Sequence, residues 1–294
     1  MKSKFTIILM LLAPFFTLRA QQPIILSEDT LQIGNSLLPA IAVNIPEAQY
    51  DDVLKQWVRE LESGTKSKVQ TSNGEMQIMG AKIKDISKDA INVYSRLDRL
   101  DSALMLYASF ETSKDVYITS KAGVSEFTMT WEFLKEFAKD QYIDVAKQQA
   151  DTEEKKLRDL EKELSSLENE KGKMERSIES DKSTIASEKE NILLMNNEIN
   201  TVNSALASQD TLLAGFDDKE KDKQIKDLEK RKKKAENSIE SSDRTIQKCE
   251  ENIYKNTAEI PQNERMQEMV RTQIAQQQEI YQRFEDKLSK IKSY

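Results

Sequence analysis

Apolar residues recur along this chain with two different periods, and the period changes once. From Leu157 one seven-residue series runs Leu157, Leu164, Lys171, Ile178, Ile185, Ile192, Ile199, Leu206 and Leu213. A second runs Leu160, Leu167, Met174, Asp181, Glu188, Met195, Val202, Gln209 and Phe216. Most of these positions are apolar across nine heptads, well beyond the three or four needed to define a coiled coil. A further pair of series continues to the end of the chain. One is Ile225, Lys232, Ile239, Ile246, Ile253, Ile260, Gln267, Ile274, Tyr281 and Leu288; the other is Leu228, Ala235, Ser242, Cys249, Asn256, Asn263, Val270, Gln277, Phe284 and Ile291.

The two sets are out of phase. Twelve residues separate Leu213 from Ile225, a shift that a continuous helix does not absorb as a simple stutter or stammer. Between them lies Gly215-Phe216-Asp217-Asp218-Lys219-Glu220. Gly215 suits a helix C-terminus, and Asp217 with Glu220 forms a capping box for the next helix. The expectation is an antiparallel hairpin with its turn at 215–219; the alternative is a rod that dimerises in parallel. If paired residue numbers sum to 434, Leu206 meets Leu228, Met195 meets Ile239, Ala146 meets Leu288 and Ile143 meets Ile291. Large residues then face small ones, as a narrow seam requires. The same register brings Gly172 and Pro261 to one level, a candidate kink.

Before residue 124 the pattern is that of a mixed fold. Ile41, Val43 and Ile45 alternate as in a half-buried strand. Pro46 then fits a first helical position, with Asn44 or Ile45 as the cap. Tyr50, Val53, Leu54, Trp57, Val58 and Leu61 keep helical spacing, and Gly64 supplies a stop. Asn73-Gly74 is a hairpin turn signal between strands at 68–72 and 75–83. Ile91, Val93, Ser95 and Leu97 alternate, as do Leu104, Leu106, Ala108 and Phe110, with a turn at 99–102 and a short last strand at 116–119. The expected order is β-α-β-β-β-β. Phe127, Trp131, Leu134 and Ala138 start the long helix near 125–130, and Trp131, Phe133 and Phe137 are too closely spaced to face one helix partner, so some should pack on the sheet.

The fold class is therefore α+β, a small mostly antiparallel α/β head domain followed by a long antiparallel coiled-coil helical hairpin. The domains read as 1–20 signal peptide, 21–36 linker, 37–123 small α/β domain, 124–214 first coiled-coil arm, 215–219 turn and 220–294 second arm. Glycine and proline agree: only Gly172, Gly215 and Pro261 occur after residue 123.

The first 20 residues change the picture by adding an address. Lys2 and Lys4 precede an apolar stretch at 5–18, and Arg19-Ala20 leads into Gln21-Gln22. A basic start, a short apolar run and a small residue before a polar one describe a cleavable export signal; the run is short for a membrane-spanning helix, although retention as an anchor is the alternative. No cysteine follows it, so no lipid anchor is expected. Loss of Lys2, Lys4 and Arg19 leaves 41 basic against 51 acidic residues, a balance that opposes binding to nucleic acid or anionic lipid.

Composition narrows the chemistry. Histidine is absent, which removes imidazole bases, Ser-His or Cys-His nucleophiles and His-ligated metals. One cysteine, Cys249, allows no intrachain disulfide and no cysteine-based metal centre; on a seam position it reads as a small buried hydrophobe. Arg231-Lys232-Lys233-Lys234 lies among Asp227, Glu229 and Glu236 and reads as a solvated helix face. Asp98 and Asp101 flank a turn, while Asp51-Asp52 and Asp217-Asp218 lie at helix starts, where acids suit the dipole. No residue is a catalytic, cofactor-binding or metal-binding candidate, and no cofactor is expected.

The signal peptide, the stretch from Ile45-Pro46 to Trp57, the segment Ile91-Asn92-Val93-Tyr94-Ser95 and the terminal coiled coil together resemble uncharacterised exported proteins of Bacteroidota. That resemblance implies a periplasmic or cell-envelope setting and no functional residues. The hairpin is also similar to the tentacles of periplasmic chaperones and the α-hairpins of efflux adaptors. The expected function is a non-enzymatic scaffold, adaptor or spacer that engages protein partners, self-association among them; the alternative is a periplasmic holdase clasping unfolded clients.

Overall fold

A computed structural model of the chain describes residues 22–208 and 218–294. Seven strands, β1 (Leu26–Ile33), β2 (Ser36–Pro46), β3 (Gln70–Ser72), β4 (Glu75–Ala81), β5 (Ile91–Arg99), β6 (Ala103–Ser113) and β7 (Val116–Tyr117), form one antiparallel sheet. Helix α1 (Tyr50–Glu62) lies between β2 and β3, and two long helices follow, α2 (Val124–Ala207) and α3 (Asp218–Lys292). These two pack against each other as a hairpin. The proposed turn, with Gly215 and Asp217, falls outside the described residues, whereas Asp218 is the first residue of α3. The chain divides into two compact units: a head that combines the residues up to Glu154 with Ile280–Tyr294, and a pair of arms, Lys155–Glu279.

In the head the strand order is β1-β2-β6-β5-β4-β3, with β7 beside β6. The alternating residues put Ile41, Val43 and Ile45 opposite Ala108, Leu106 and Leu104, and Ser95 and Leu97 opposite Ala108 and Leu106. That face packs against Val53, Trp57 and Leu61 of α1 and against Leu134, Phe137 and Ala138 of α2. The opposite face carries Leu31 and Leu38, paired and buried, beside Ala40, Ala42, Tyr94, Tyr107 and Ser109. The tip of the β1–β2 hairpin closes toward β4, where the Gly34 N–H donates to the Glu75 carboxylate at 3.2 Å. Asn73 and Gly74 both take positive φ, 54° and 83°, the primed turn that matches strand twist and that this dipeptide favours.

Three expectations are corrected. The segment 21–36, expected as a linker, contains β1, which pairs with β2 from Leu26↔Val43 to Ile33↔Ser36. Its sequence LSEDTLQI buries only Leu31, and with its other positions exposed or half-buried this edge strand carries almost no apolar alternation. Helix α1 does not start at Pro46: Pro46 is the last residue of β2, opposite Ala103, and the N-cap is Gln49. Between them Glu47 sits at φ 57°, a left-handed corner that redirects the chain. The order is thus β-β-α-β-β-β-β-β. The other strand and turn expectations for the head hold to within a few residues; the β5–β6 turn closes with Leu100 N–H donating to the Ala103 carbonyl at 2.9 Å, and Ser63 with Gly64 (φ 68°) ends α1.

In the arms every described member of the four heptad series is buried or half-buried. The cross-arm contacts straddle the expected register. Lys171 meets Glu264 at 2.6 Å, Arg271 meets Glu168 at 2.9 Å, and Asn191 Nδ2 donates to Ser242 Oγ at 2.9 Å. Both Gly172 and Pro261 lie inside continuous helix, so their shared level does not interrupt either arm. In the head the same register holds at the helix bases, where Ala146, Leu288 and Ile291 form one apolar cluster with Tyr142 and Ile143.

Candidate functional site

The residues singled out from the sequence are dispersed over the fold. Cys249 is buried on the seam, and burial, then the nearby Asp181, pushes its thiol up, away from reactivity. Of the basic run, Arg231 pairs with Glu198 at 2.6 Å, and Lys233 and Lys234 face solvent. Asp98 is held by Arg96 at 3.0 Å, and Arg96 in turn stacks over the Tyr107 ring. Asp51 and Asp52 occupy the first turn of α1, the dipole position expected for them. Asp101 lines a shallow depression with Gln22, Asn44, Arg99, Ser102 and Met105.

The sequence does not signal the two most organised polar clusters, and both are in the head. At the corner after β2, the Glu47 carboxylate accepts from Lys287 Nζ at 2.6 and 2.8 Å, from Gln149 Nε2 at 3.1 Å and from the Tyr142 hydroxyl at 3.3 Å. Lys287 also donates to Gln149 Oε1 at 3.1 Å. Burial by itself would raise the Glu47 carboxyl. The Lys287 ammonium, with Gln149 and Tyr142, outweighs it and holds the group below the usual glutamate range. The same burial, with the Glu47 charge, drives the Tyr142 phenol well above its ordinary value. The four side chains bond chiefly to one another, with the Gln22 backbone as a further partner of Tyr142, so the chemistry is that of a clasp: it fixes the base of α3 and the base of α2 to the β2 corner.

The second cluster lies at the end of β6. Glu111 accepts from Asn92 Nδ2 at 2.8 Å, from the Asp115 backbone N–H at 2.9 Å and from the Tyr94 hydroxyl at 3.2 Å. The Asn92 bond is the largest cause holding its carboxyl low, against burial. Asp115 stands at φ 61°, so the carboxylate anchors a strained turn. Asn92 Oδ1 also accepts from the Gly80 N–H at 3.1 Å, where β4 and β5 shift register. The cluster joins three strands, β4, β5 and β6. Among the described residues no three acidic or cysteine side chains converge as metal ligands.

The exterior of the arms is the surface that remains. It carries isolated exposed apolar side chains, Leu193, Leu194, Tyr254 and Met269, on helices whose apolar seam is already occupied. Among the described residues no helix is long and apolar enough to cross a membrane. Compared with protein-family models and with curated proteins, the chain matches none.

Proposed function

We propose that this chain is a non-enzymatic scaffold, adaptor or spacer of the periplasm or cell envelope, and that the hairpin is its protein-binding element. The observation that carries the reading is the arms. Their apolar heptads are spent on each other, while among the described residues a mostly polar exterior, marked by a few exposed apolar side chains, is left for partners. The head supports it, since its buried carboxylates are consumed in structural clusters, and a chain without histidine lacks the commonest general base. Photo-crosslinking groups placed on the arm exterior in living cells should capture a defined set of envelope proteins. Capture of nothing but abundant bystanders sinks the reading.

Localisation is tested separately. Export with cleavage after Ala20 should give a mature chain beginning at Gln21 by N-terminal sequencing; a Met1 terminus in the membrane fraction means the segment is kept as an anchor. The exposed Tyr254, Met269, Leu193 and Leu194 favour one second reading, a holdase whose arms touch unfolded clients. That reading expects suppression of the aggregation of an unrelated denatured protein at equimolar ratio.

A further inference from the structure

Charge is unevenly distributed over the arms. From Asn191 to Ser208 the chain carries a single charged residue, Glu198, in a protein of which 32% is charged. That one charge is neutralised across the seam by Arg231 at 2.6 Å. The side of α2 turned away from the seam is formed by Leu193, Leu194, Asn197, Asn200, Thr201 and Ser204, all exposed. Leu193 and Leu194 are 61% and 56% exposed.

The hydroxyls on this face are turned inward. Thr201 Oγ1 donates to the Asn197 carbonyl and Ser204 Oγ to the Asn200 carbonyl, each at 2.9 Å. Their donors are satisfied within the helix, so removing water from the face leaves no hydroxyl unpaired. The asparagine carboxamides are the exception, and each carries both a donor and an acceptor. A surface made of leucine and carboxamide is complementary to itself.

We propose that the outer face of α2 over residues 193–207 is a self-association surface that packs against the same face of a second copy of this chain. Electrostatics favours that occupant. Two copies, each −7 as the full chain and −10 without residues 1–20 (41 basic against 51 acidic residues), repel wherever their charged faces meet, and this is the stretch where approach meets no charge. An acidic or basic partner gains nothing here, because there is no charge to complement. A two-fold contact between identical patches is also the commonest geometry of closed homo-oligomers. The patch spans about four helical turns, roughly 22 Å, which sets the expected dimer as a micromolar rather than a permanent one.

The inference rests on the reading of the hairpin as a protein-binding element, yet the two fail separately. A monomeric chain that still captures an envelope protein loses self-association alone; a dimer that captures none loses the partner reading alone. The test is analytical ultracentrifugation of the mature chain at low and high salt. Dimer should form at micromolar concentration and strengthen as salt screens the net repulsion. L193E/L194E, at exposed positions and therefore without a folding penalty, should weaken it at least tenfold. The charge-conserving swap K233E/E236K on the exposed face of α3 should leave it unchanged. Asn197→Cys in a Cys249→Ser background should form an intermolecular disulfide. A monomer at all concentrations, a dimer that weakens with salt, or a dimer indifferent to L193E/L194E overturns the proposal.

Discussion

The head and the arms solve the same problem, covering apolar surface, with different geometry. In the head, Val43, Ile45, Trp57, Leu61 and Leu106 have no exposed surface, because a sheet on one side and two helices on the other enclose them. In the arms only two helices meet, so Ile178, Ile185 and Ile192 stay half-buried, and the fully covered layers are few, among them Leu167, Val202, Ala235 and Val270. Stability in the head is thus concentrated in residues with many distant neighbours. In the arms it is spread over repeated layers, none of which is decisive. A change in the head should be costly and global, a change in the arms cheap and local.

The largest effect should come from deleting residues 281–294, which belong to the end of α3 yet form part of the head. Leu288 and Ile291 would leave a cluster in which Tyr142 and Ala146 have no exposed surface. Each forfeits about 1.5–3 kcal/mol of burial, and the Glu47 clasp loses its cation. Hydrogen exchange should accelerate near residues 131–157, while protection over 160–200 changes little. Equal acceleration in both stretches would erase the distinction between a concentrated and a distributed core.

Next in size is the contrast of one substitution in each region. Trp57 is fully buried, donates from Nε1 to Ser95 Oγ at 2.9 Å, and meets Phe137 edge-on at 5.0 Å and Phe133 at 6.1 Å. Trp57→Ala should cost about 3–5 kcal/mol, as large-to-small core changes do, and strands Ser95 without its donor. Ile185→Ala, at a half-buried seam position, should cost about 1 kcal/mol by the same area argument. Denaturant titration of both variants decides it; similar losses would mean that the arms are as tightly enclosed as the head.

The same difference explains how far the sequence could be read. The arms were legible because period seven repeats the signal layer after layer, and every described seam position is buried or half-buried, including the polar Ser242, Asn263 and Gln267. Trp57 was legible as head packing from its helical spacing with Val53 and Leu61, and Trp131, Phe133 and Phe137 because three large rings within seven residues have no room on one helix partner. β1 was not, since its burial comes from Leu31 alone. The Glu47 clasp was not, because its partners lie 95, 102 and 240 residues away and no local pattern encodes such a pairing. Pro46 misled for a physical reason: proline suits a helix start and a strand end alike, and Glu47 in the left-handed region, rather than Pro46, makes the corner.

A third prediction concerns that clasp. Lys287 and Glu47 keep 10% and 19% of their side-chain surface exposed, so the pair is neither fully buried nor screened. Lys287→Met leaves the carboxylate with Gln149 and Tyr142 only, at an expected cost of about 2 kcal/mol, below the range for a fully enclosed pair. The pH dependence has a definite sign. The folded Glu47 carboxyl lies below its ordinary value of 4.5, so its contribution is present above that value and is lost as pH falls through the folded one. Unfolding free energies of the native chain and of Lys287→Met should therefore converge as pH falls below the ordinary glutamate range and differ most near neutrality. A gap that persists unchanged into acid would show that Lys287 acts through its methylene packing on Tyr142 rather than through charge.

The smallest expected effect is in the arms and probes what their polar layer does. Gln267 Nε2 donates to Asn263 Oδ1 at 2.7 Å, one helical turn away, and Arg271 donates to Gln267 Oε1 at 3.3 Å while also meeting Glu168. Asn263 and Gln267 are both buried, as is Leu167 on the facing arm, so an apolar seam could replace them. Asn263→Leu alone removes the acceptor from a buried carboxamide and should cost about 1–2 kcal/mol. The double change, with Gln267→Leu as well, removes both halves of the bond and adds apolar contact to Leu167; it should be neutral or stabilising by about 1 kcal/mol. The singles and the double therefore should not add. Such a layer fixes register at the expense of stability, as polar seam residues do in coiled coils. If the double variant gains stability but its arms exchange amide protons uniformly faster, register was the layer's contribution; if the singles simply sum, the two side chains act independently and the layer is no more than two tolerated polar positions.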